Sequence, residues 1–373
     1  MKKIITIIMA LVLCLGMLAI TACGGGTAKP SGEETGSAKE SERAASGDTV
    51  TLKFSHSWPE QHPLAQRWAL WGEEIEKRTE GRIQVEMYGA AQLSTSAEDY
   101  ESMVQGISDV TVVIPSYTPG VFPLSELYEL PVGYNGPQSM GDVFYQLYKE
   151  FQPEEWNEVK VLTMYAVGPG VICSKKPVKD LESLKGMQIR ATGTTGKALA
   201  ALGAAPVSIT YPESYEAISR GTCDGLIGAW ETFKSWSLDE VADNYLGVSF
   251  LYTSPFVFAM NLDTWNAIPD DLKPIVEEVS EEWGRKMGEW AYEDTTVDGI
   301  EYLTAQGKNI SILPDSEAER WKELIQPVID EAVEEREAMG LPAKEFYERM
   351  LELIPECNEK YESVDEAVIN GMK

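Results

Sequence analysis

At 373 residues the chain exceeds the usual size of one domain, and its 43% of apolar residues are enough for more than one core. A formal net charge of -29 argues against nucleic acid or an anionic membrane surface as a partner, because either would repel it. With two histidines and five cysteines, none of them clustered, no metal centre is expected, and no residue pattern calls for a cofactor.

Residues 1–22 open with Lys2 and Lys3, continue as an apolar run from Ile4, and end Ile20-Thr21-Ala22 before Cys23. This is the layout of a signal peptide rather than of a core helix. Ile-Thr-Ala-Cys resembles a lipobox, which implies that Cys23 becomes the lipidated first residue of the mature chain; a plain anchor or an ordinary cleaved signal is the alternative. A diacylated cysteine supplies the two-chain anchoring that a single acyl chain does not. Residues 23–48 carry Gly24-Gly25-Gly26, Ser, Glu, Lys and Ala without one large apolar side chain, so they read as a flexible tether.

The folded part starts at Thr49. Val50, Leu52 and Phe54 alternate as a strand that ends at His56-Ser57-Trp58, and Pro63 opens a helix with Leu64, Trp68, Trp71 and Ile75 at core-facing spacing. Ile83, Val85 and Met87 alternate again, Thr95-x-x-Glu98 reads as a capping box before a helix stopped by Gly106, and residues 110–114 form a third strand. Strand ends converge in such α/β units, so Ser57, Trp58, Ser116 and Tyr117 are expected to face a cleft. Beyond Phe122, Pro-interrupted turns lead to an amphipathic helix over 140–151 and a β-like run over 160–173.

Residues 184–236 repeat the plan. Apolar runs at 187–189, 206–209 and 226–229 alternate with helical patterns over 195–202 and 212–220 that stop at Gly203 and Gly221. Both halves join helix to strand through G-x-x-D, at Gly106 to Asp109 and at Gly221 to Asp224. The second set of strand ends carries Arg190, Thr210 with Tyr211, and Gly228 through Trp230. A guanidinium just past an apolar strand needs a partner, and its planar fork suits a carboxylate, from a ligand or from an internal acid.

A second β-like run covers 248–262, a long helical pattern 270–302, and acidic amphipathic helices 317–339 and 343–353, whose charges suit solvated faces. Cys14 leaves with the signal and Cys23 takes lipid; Cys173, Cys223 and Cys357 remain, and Cys173 and Cys223 lie in apolar runs that favour buried thiols over a disulfide. No G-x-S-x-G occurs, and Gly193-Thr-Thr-Gly196-Lys197-Ala198 lacks both the first glycine and the hydroxyl residue of a phosphate loop. An enzyme is therefore not expected, a cleft hydrolase with an acid pair being the rival.

L-K-G-x-x-I-R ending at Arg190, A-L-G-A-x-P-V ending at Val207 and Y-P-E-S-Y-E-A-I-S-R-G-x-x-D-G from Tyr211 resemble the signature of the extracytoplasmic solute-binding proteins of tripartite ATP-independent periplasmic (TRAP) transporters, DctP type. The similarity runs from Thr49 to about Asn358 and includes the stretches 81–93 and 119–124. It implies a two-lobed α/β fold of the periplasmic-binding-protein kind, each lobe a β-sheet flanked by helices, with a ligand cleft between them and a long helix spanning both. The lobes would be 49–167 with 254–290, and 168–253 with 291–373. It further implies that Arg190 clamps the carboxylate of an organic acid, and that the partner is an integral membrane permease driven by an ion gradient, with no ATPase. A sensor component for a chemoreceptor or kinase is the alternative on the same fold.

Members that bind sugar acids resemble D-G-Q-E-N-P after the third strand, whereas this chain reads Asp224-Gly-Leu-Ile-Gly228-Ala-Trp230, so Gly228 replaces the Asn and Gly193 a second polar residue. Both glycines are expected to open space beside Trp230, Tyr211 and Trp58, unless Trp230 packs in the hinge instead. A monocarboxylate with an apolar or aromatic tail, or a small 2-oxo or 2-hydroxy acid, is expected ahead of a C4-dicarboxylate or sialic acid.

Overall fold

The alternation at residues 50–54 becomes β1 (Val50–Ser55) in a computed structural model that describes residues 49–371 apart from residue 231. α1 (Pro63–Arg78) follows; His62 caps it, its Nδ1 accepting from the Leu64 N–H, and its stripe buries Trp68 and Trp71 against Phe54. β2 (Ile83–Tyr88), α2 (Asp99–Val104) and β3 (Val110–Val113) complete the first βαβαβ unit, with β1 parallel to both neighbours. Thr95 donates to Glu98 from N and Oγ1, but the helix begins only at Asp99, later than a capping box at Thr95 implies.

α3 (Pro137–Phe151) precedes β4 (Val159–Val167) and β5 (Gly170–Ser174). The run expected as one β segment over 160–173 is thus two strands, parted at Gly168-Pro169. After α4 (Leu181–Leu184) comes the second βαβαβ unit: β6 (Gln188–Arg190), α5 (Gly193–Ala201), β7 (Ala205–Val207), α6 (Ser214–Arg220) and β8 (Gly225–Ala229). β6 lies parallel to both β7 and β8. α7 (Thr232–Ser235) and β9 (Asn244–Gly247) follow, and β10 (Ser254–Asn261) takes up only the second part of the run expected over 248–262.

α8 (Leu262–Ala267) and α9 (Lys273–Trp290) come next, and a π-helical stretch, Ala291–Val297, joins α9 to α10 (Asp298–Ala305) without a break. β11 (Asn309–Ile312), α11 (Asp315–Ala338), α12 (Ala343–Asn358) and α13 (Val364–Gly371) follow.

The strands sort into two mixed sheets, in the orders β2-β1-β3-β10-β4 and β11-β9-β5-β8-β6-β7. Each βαβαβ unit is parallel, and antiparallel strands extend it: β10 pairs with β3 and β4, and β5 pairs with β8 and β9. The chain crosses between sheets at 168–169 and at 248–253, where the departing strands are neighbours, since Val167 pairs with Ser254 in one sheet and Val171 with Gly247 in the other. α9 packs on α1, α3 and β4, whereas α10 packs on α7, α13 and β11, so this continuous helix is a third link between the two halves.

Beneath the crossings, one apolar core runs from Phe144 and Val161 to Ile189 and Leu199. Cys173, Cys223 and Cys357 are buried free thiols. Among the described residues no helix is long and apolar enough to cross a membrane.

Candidate functional site

Parallel strands deliver their carboxyl ends to one side of each sheet, and the residues just past β3 and β6 meet across the two halves through Tyr117 and Arg190. Arg190, the last residue of β6, is 1% exposed. Its Nε donates to the Ile209 carbonyl at 2.8 Å, and Nη2 donates to Tyr117 Oη, from the opposite half, at 3.2 Å. The guanidinium carbon stands 5.2 Å from the centre of the Tyr211 ring and 6.0 Å from that of Tyr117, so both rings offer it their π faces. Tyr117 Oη also accepts from the Tyr211 N–H at 3.1 Å. One phenol therefore ties Arg190 and the start of the Tyr211 turn to the other half of the molecule.

No described carboxylate forms an ion pair with Arg190. The acid that acts on it is Glu129, at the end of the Ser125–Glu129 turn. That side chain is 3% exposed, hydrogen-bonds Ser116, and keeps Oε1 buried without a partner among the described residues. Burial, with a smaller push from the Glu126 charge, raises its carboxyl to about 8 although the Ser116 hydrogen bond and the Arg190 charge pull it down, so it is mostly neutral at pH 7. Arg190 is left as a desolvated cation without a described counter-charge, an arrangement that is costly unless an anion completes it.

On the far side of Tyr117 and Tyr211, the two rings that face Arg190, lies a small cavity, about 20 Å³, walled chiefly by Trp58, Ile114, Tyr117, Tyr211, Trp236 and Phe256. That is room for about one water, so the aromatic walls nearly meet. Trp236 bridges them: its ring centre is 5.4 Å from that of His62 and 6.1 Å from that of Tyr211. Its indole Nε1 is buried without a partner among the described residues.

The residues expected at the cleft take up different tasks. Trp58, Tyr117 and Tyr211 wall the cavity, and Arg190 lies behind the two phenols. Ser116 takes a hydrogen bond from Thr192 and faces Glu129. Ser57 is turned away, its hydroxyl 3.3 Å from both the Ser94 carbonyl and Asp99 Oδ2 and so shared between them. Thr210 is turned away as well, since its N–H and hydroxyl both serve Glu213 in a capping box.

Trp230 does not line the cavity: it is 1% exposed and packs edge-on against Phe233, so Trp236 takes the place expected for it. Gly228 and Gly193 do not open free space. A Cβ at Gly228 would lie 2.7 Å from Tyr211 Oη, and one at Gly193 would meet Glu129 Oε2 at 2.4 Å and Ser116 Cβ at 3.0 Å. The first glycine seats the Tyr211 ring, whose hydroxyl bonds Thr232; the second, with φ +54, seats Glu129.

Glu129, His62 and Trp236 were not singled out as site residues by their sequence context. Among the described residues no group of three or more metal-ligating side chains forms a cluster.

The family model DctP, described as bacterial extracellular solute-binding protein, family 7, matches residues 54–336. The C4-dicarboxylate-binding periplasmic protein DctP of Rhodobacter capsulatus is 23% identical over 301 residues, which cover 78% of this chain and 88% of that protein. Among solved structures, a TRAP solute-binding protein from Rhodoferax ferrireducens T118, in complex with copurified benzoate, superposes with a TM-score of 0.80 at 29% identity, covering 84% of this chain and 99% of that one. A marine metagenome TRAP solute-binding protein specific for aromatic acid ligands, in complex with 3-hydroxybenzoate, gives a TM-score of 0.79 at 25% identity over 84% of this chain and all of that one (100%).

Proposed function

The chain belongs to the DctP family of bacterial extracellular solute-binding proteins, and from that premise we propose that it captures an aromatic or otherwise apolar monocarboxylate and delivers it to an ion-gradient-driven membrane permease. The observation that carries this reading is Arg190, buried, oriented by Ile209 and Tyr117, and without a described counter-charge. A solute carboxylate supplies that charge through the guanidinium fork, and the solute's apolar part lies against Trp58, Tyr117, Tyr211, Trp236 and Phe256. The Trp236 N–H is a donor for a hydroxyl or oxo substituent. Two relatives of the same fold hold benzoate and 3-hydroxybenzoate, which supports the aromatic reading.

In this reading the two sheets are the cores of two lobes, 49–167 with 254–290 and 168–253 with 291–373. The crossings at 168–169 and 248–253 are the hinge about which the lobes close. The protein performs capture rather than turnover. Cys23, which lies outside the described residues, holds it to the membrane through lipid, and residues 24–48 are the tether between the anchor and the lobes.

A thermal-shift screen of benzoate, phenylpyruvate, lactate and succinate tests the solute class. An acid at 100 times its dissociation constant adds about 2.7 kcal/mol of stability. Benzoate or phenylpyruvate is expected to raise Tm most; a larger rise with succinate would refute the aromatic reading. For the anchor, Cys23→Ser is expected to move the protein from the membrane fraction to the soluble one, and continued retention would speak against lipidation.

A further inference from the structure

Across the mouth of the cleft from Arg190, the two halves meet a second time through polar groups. His62, the N-cap of α1, places Nε2 3.0 Å from Ser235 Oγ at the end of α7. The tautomer follows from the neighbours. Nδ1 accepts the Leu64 N–H at 3.1 Å and so carries no proton, which puts the ring proton on Nε2 as a donor to Ser235; Ser235 in turn donates to the Thr232 carbonyl at 3.3 Å. The imidazole is 3% exposed, and Trp236 packs against its ring. A second proton would have to sit on Nδ1, pointing at the Leu64 N–H, while Trp236 packs against the ring. It would also bring positive charge to the amino end of a helix.

We propose that His62, Ser235 and Trp236 form the closing contact that retains the solute, one that requires a neutral imidazole, so that acidification opens the cleft. The proposal rests on the reading that the cleft closes on a solute. Burial is the main reason that the His62 imidazole falls to about 3 in the closed form, with a lesser push from the His56 charge. An exposed imidazole titrates near 6.5, so closure is favoured above about pH 6.5 and weakens as pH falls below it, by up to tenfold per pH unit for one proton.

Among the described residues, the other charged groups near this junction are His56, buried on the β1 side, with Glu60 beside it, and Lys234 beside Ser235, which is paired with Asp298. Asp99, raised to about 7, and Glu129, raised to about 8, are the buried acids that titrate in the same region of pH. A control that removes only His62 therefore separates its effect from theirs.

The test is an NMR titration of the two imidazoles in the whole protein, with and without saturating benzoate, beside benzoate affinities for wild type and His62→Asn. Asn keeps the helix cap and deletes the Ser235 contact. With the cleft closed, His62 is expected to stay neutral below about pH 5. From about pH 7.5 to about pH 5.5 wild-type affinity should fall roughly tenfold, while the Asn variant, weaker at the higher pH, should change less than about twofold.

A His62 imidazole titrating near 6.5 both with and without benzoate overturns the latch, as does an Asn variant that keeps the wild-type pH profile. If benzoate does not bind at all, the reading of the solute fails, and small-angle scattering of the solute-free protein decides the latch: wild type that expands between about pH 7.5 and about pH 5.5 while His62→Asn does not supports it, and identical profiles for the two overturn it.

Discussion

Arg190 and Glu129 divide the electrostatics of the site between them: one keeps its charge in the interior, the other gives its charge up. The native carboxyl of Glu129 titrates near 8 against an ordinary value of about 4.5, so the stability it contributes is complete below about pH 4.5 and is lost as pH rises through about 8. Glu129→Gln, which mimics the neutral acid, is therefore expected to gain on wild type in Tm as pH is raised from about 5 to about 8. A Tm difference that stays constant over that range would show that the acid is not buried as described.

Gly228→Ala has a different signature. Its methyl would strike Tyr211 Oη, so it should cost about 1–3 kcal/mol in stability and displace a cavity wall, lowering solute affinity as well; a fully stable variant with unchanged affinity would contradict the contact.

At this scale the sequence is legible where the strand-end rule applies, as at Trp58, Tyr117, Arg190 and Tyr211. It is opaque where short turns decide. Only residues 231–235 separate Trp230 from Trp236, and the four of them in α7, Thr232–Ser235, show no periodicity that would tell the core-facing ring from the cavity-facing one. Glu129 stands in Ser-Glu-Leu-Tyr-Glu, one acid among the chain's 60 Asp and Glu, and nothing in that run marks it as buried.

The elements were clearest where period and punctuation agree. Helices stopped by Gly203 and Gly221 and strands of alternating pattern give both βαβαβ units, and the stripe of α1 gives the buried Trp68 and Trp71. The crossings were less clear, because a strand buried on both faces reads as one continuous apolar run. Val167 and Val171 look alike in sequence although they belong to different sheets.

α9 carries a further constraint that hydrophobic period does not show. A Cβ on Gly284 would lie 2.1 Å from Thr163 Oγ1 and 3.3 Å from the Met164 carbonyl, so this glycine lets the helix lie directly on β4. Gly284→Ala gains about 1 kcal/mol of helix propensity but incurs roughly 1–3 kcal/mol of overpacking against a buried strand. Net destabilisation is expected in urea denaturation, and a more stable variant would contradict the close approach.

For the whole molecule, charge and solute have the same sign, and distance decides the outcome. Surface charges are screened beyond about 10 Å at moderate salt, while a buried guanidinium acts at contact, so a net charge of -29 does not prevent the capture of an anion. The proposed hinge closure fits the three links between the halves and the nearly filled cavity. The central claim is that Arg190 holds the carboxylate of an aromatic or apolar acid in that cleft. Calorimetric titration of the protein with benzoate and with succinate, on wild type and Arg190→Ala side by side, tests it most directly. We predict one benzoate per chain, bound more tightly than succinate, and a loss of roughly thirtyfold or more in the Ala variant, since removing one side of a buried charge pair costs about 2–5 kcal/mol. Tighter binding of succinate, or an Ala variant with wild-type affinity for benzoate, would contradict the account.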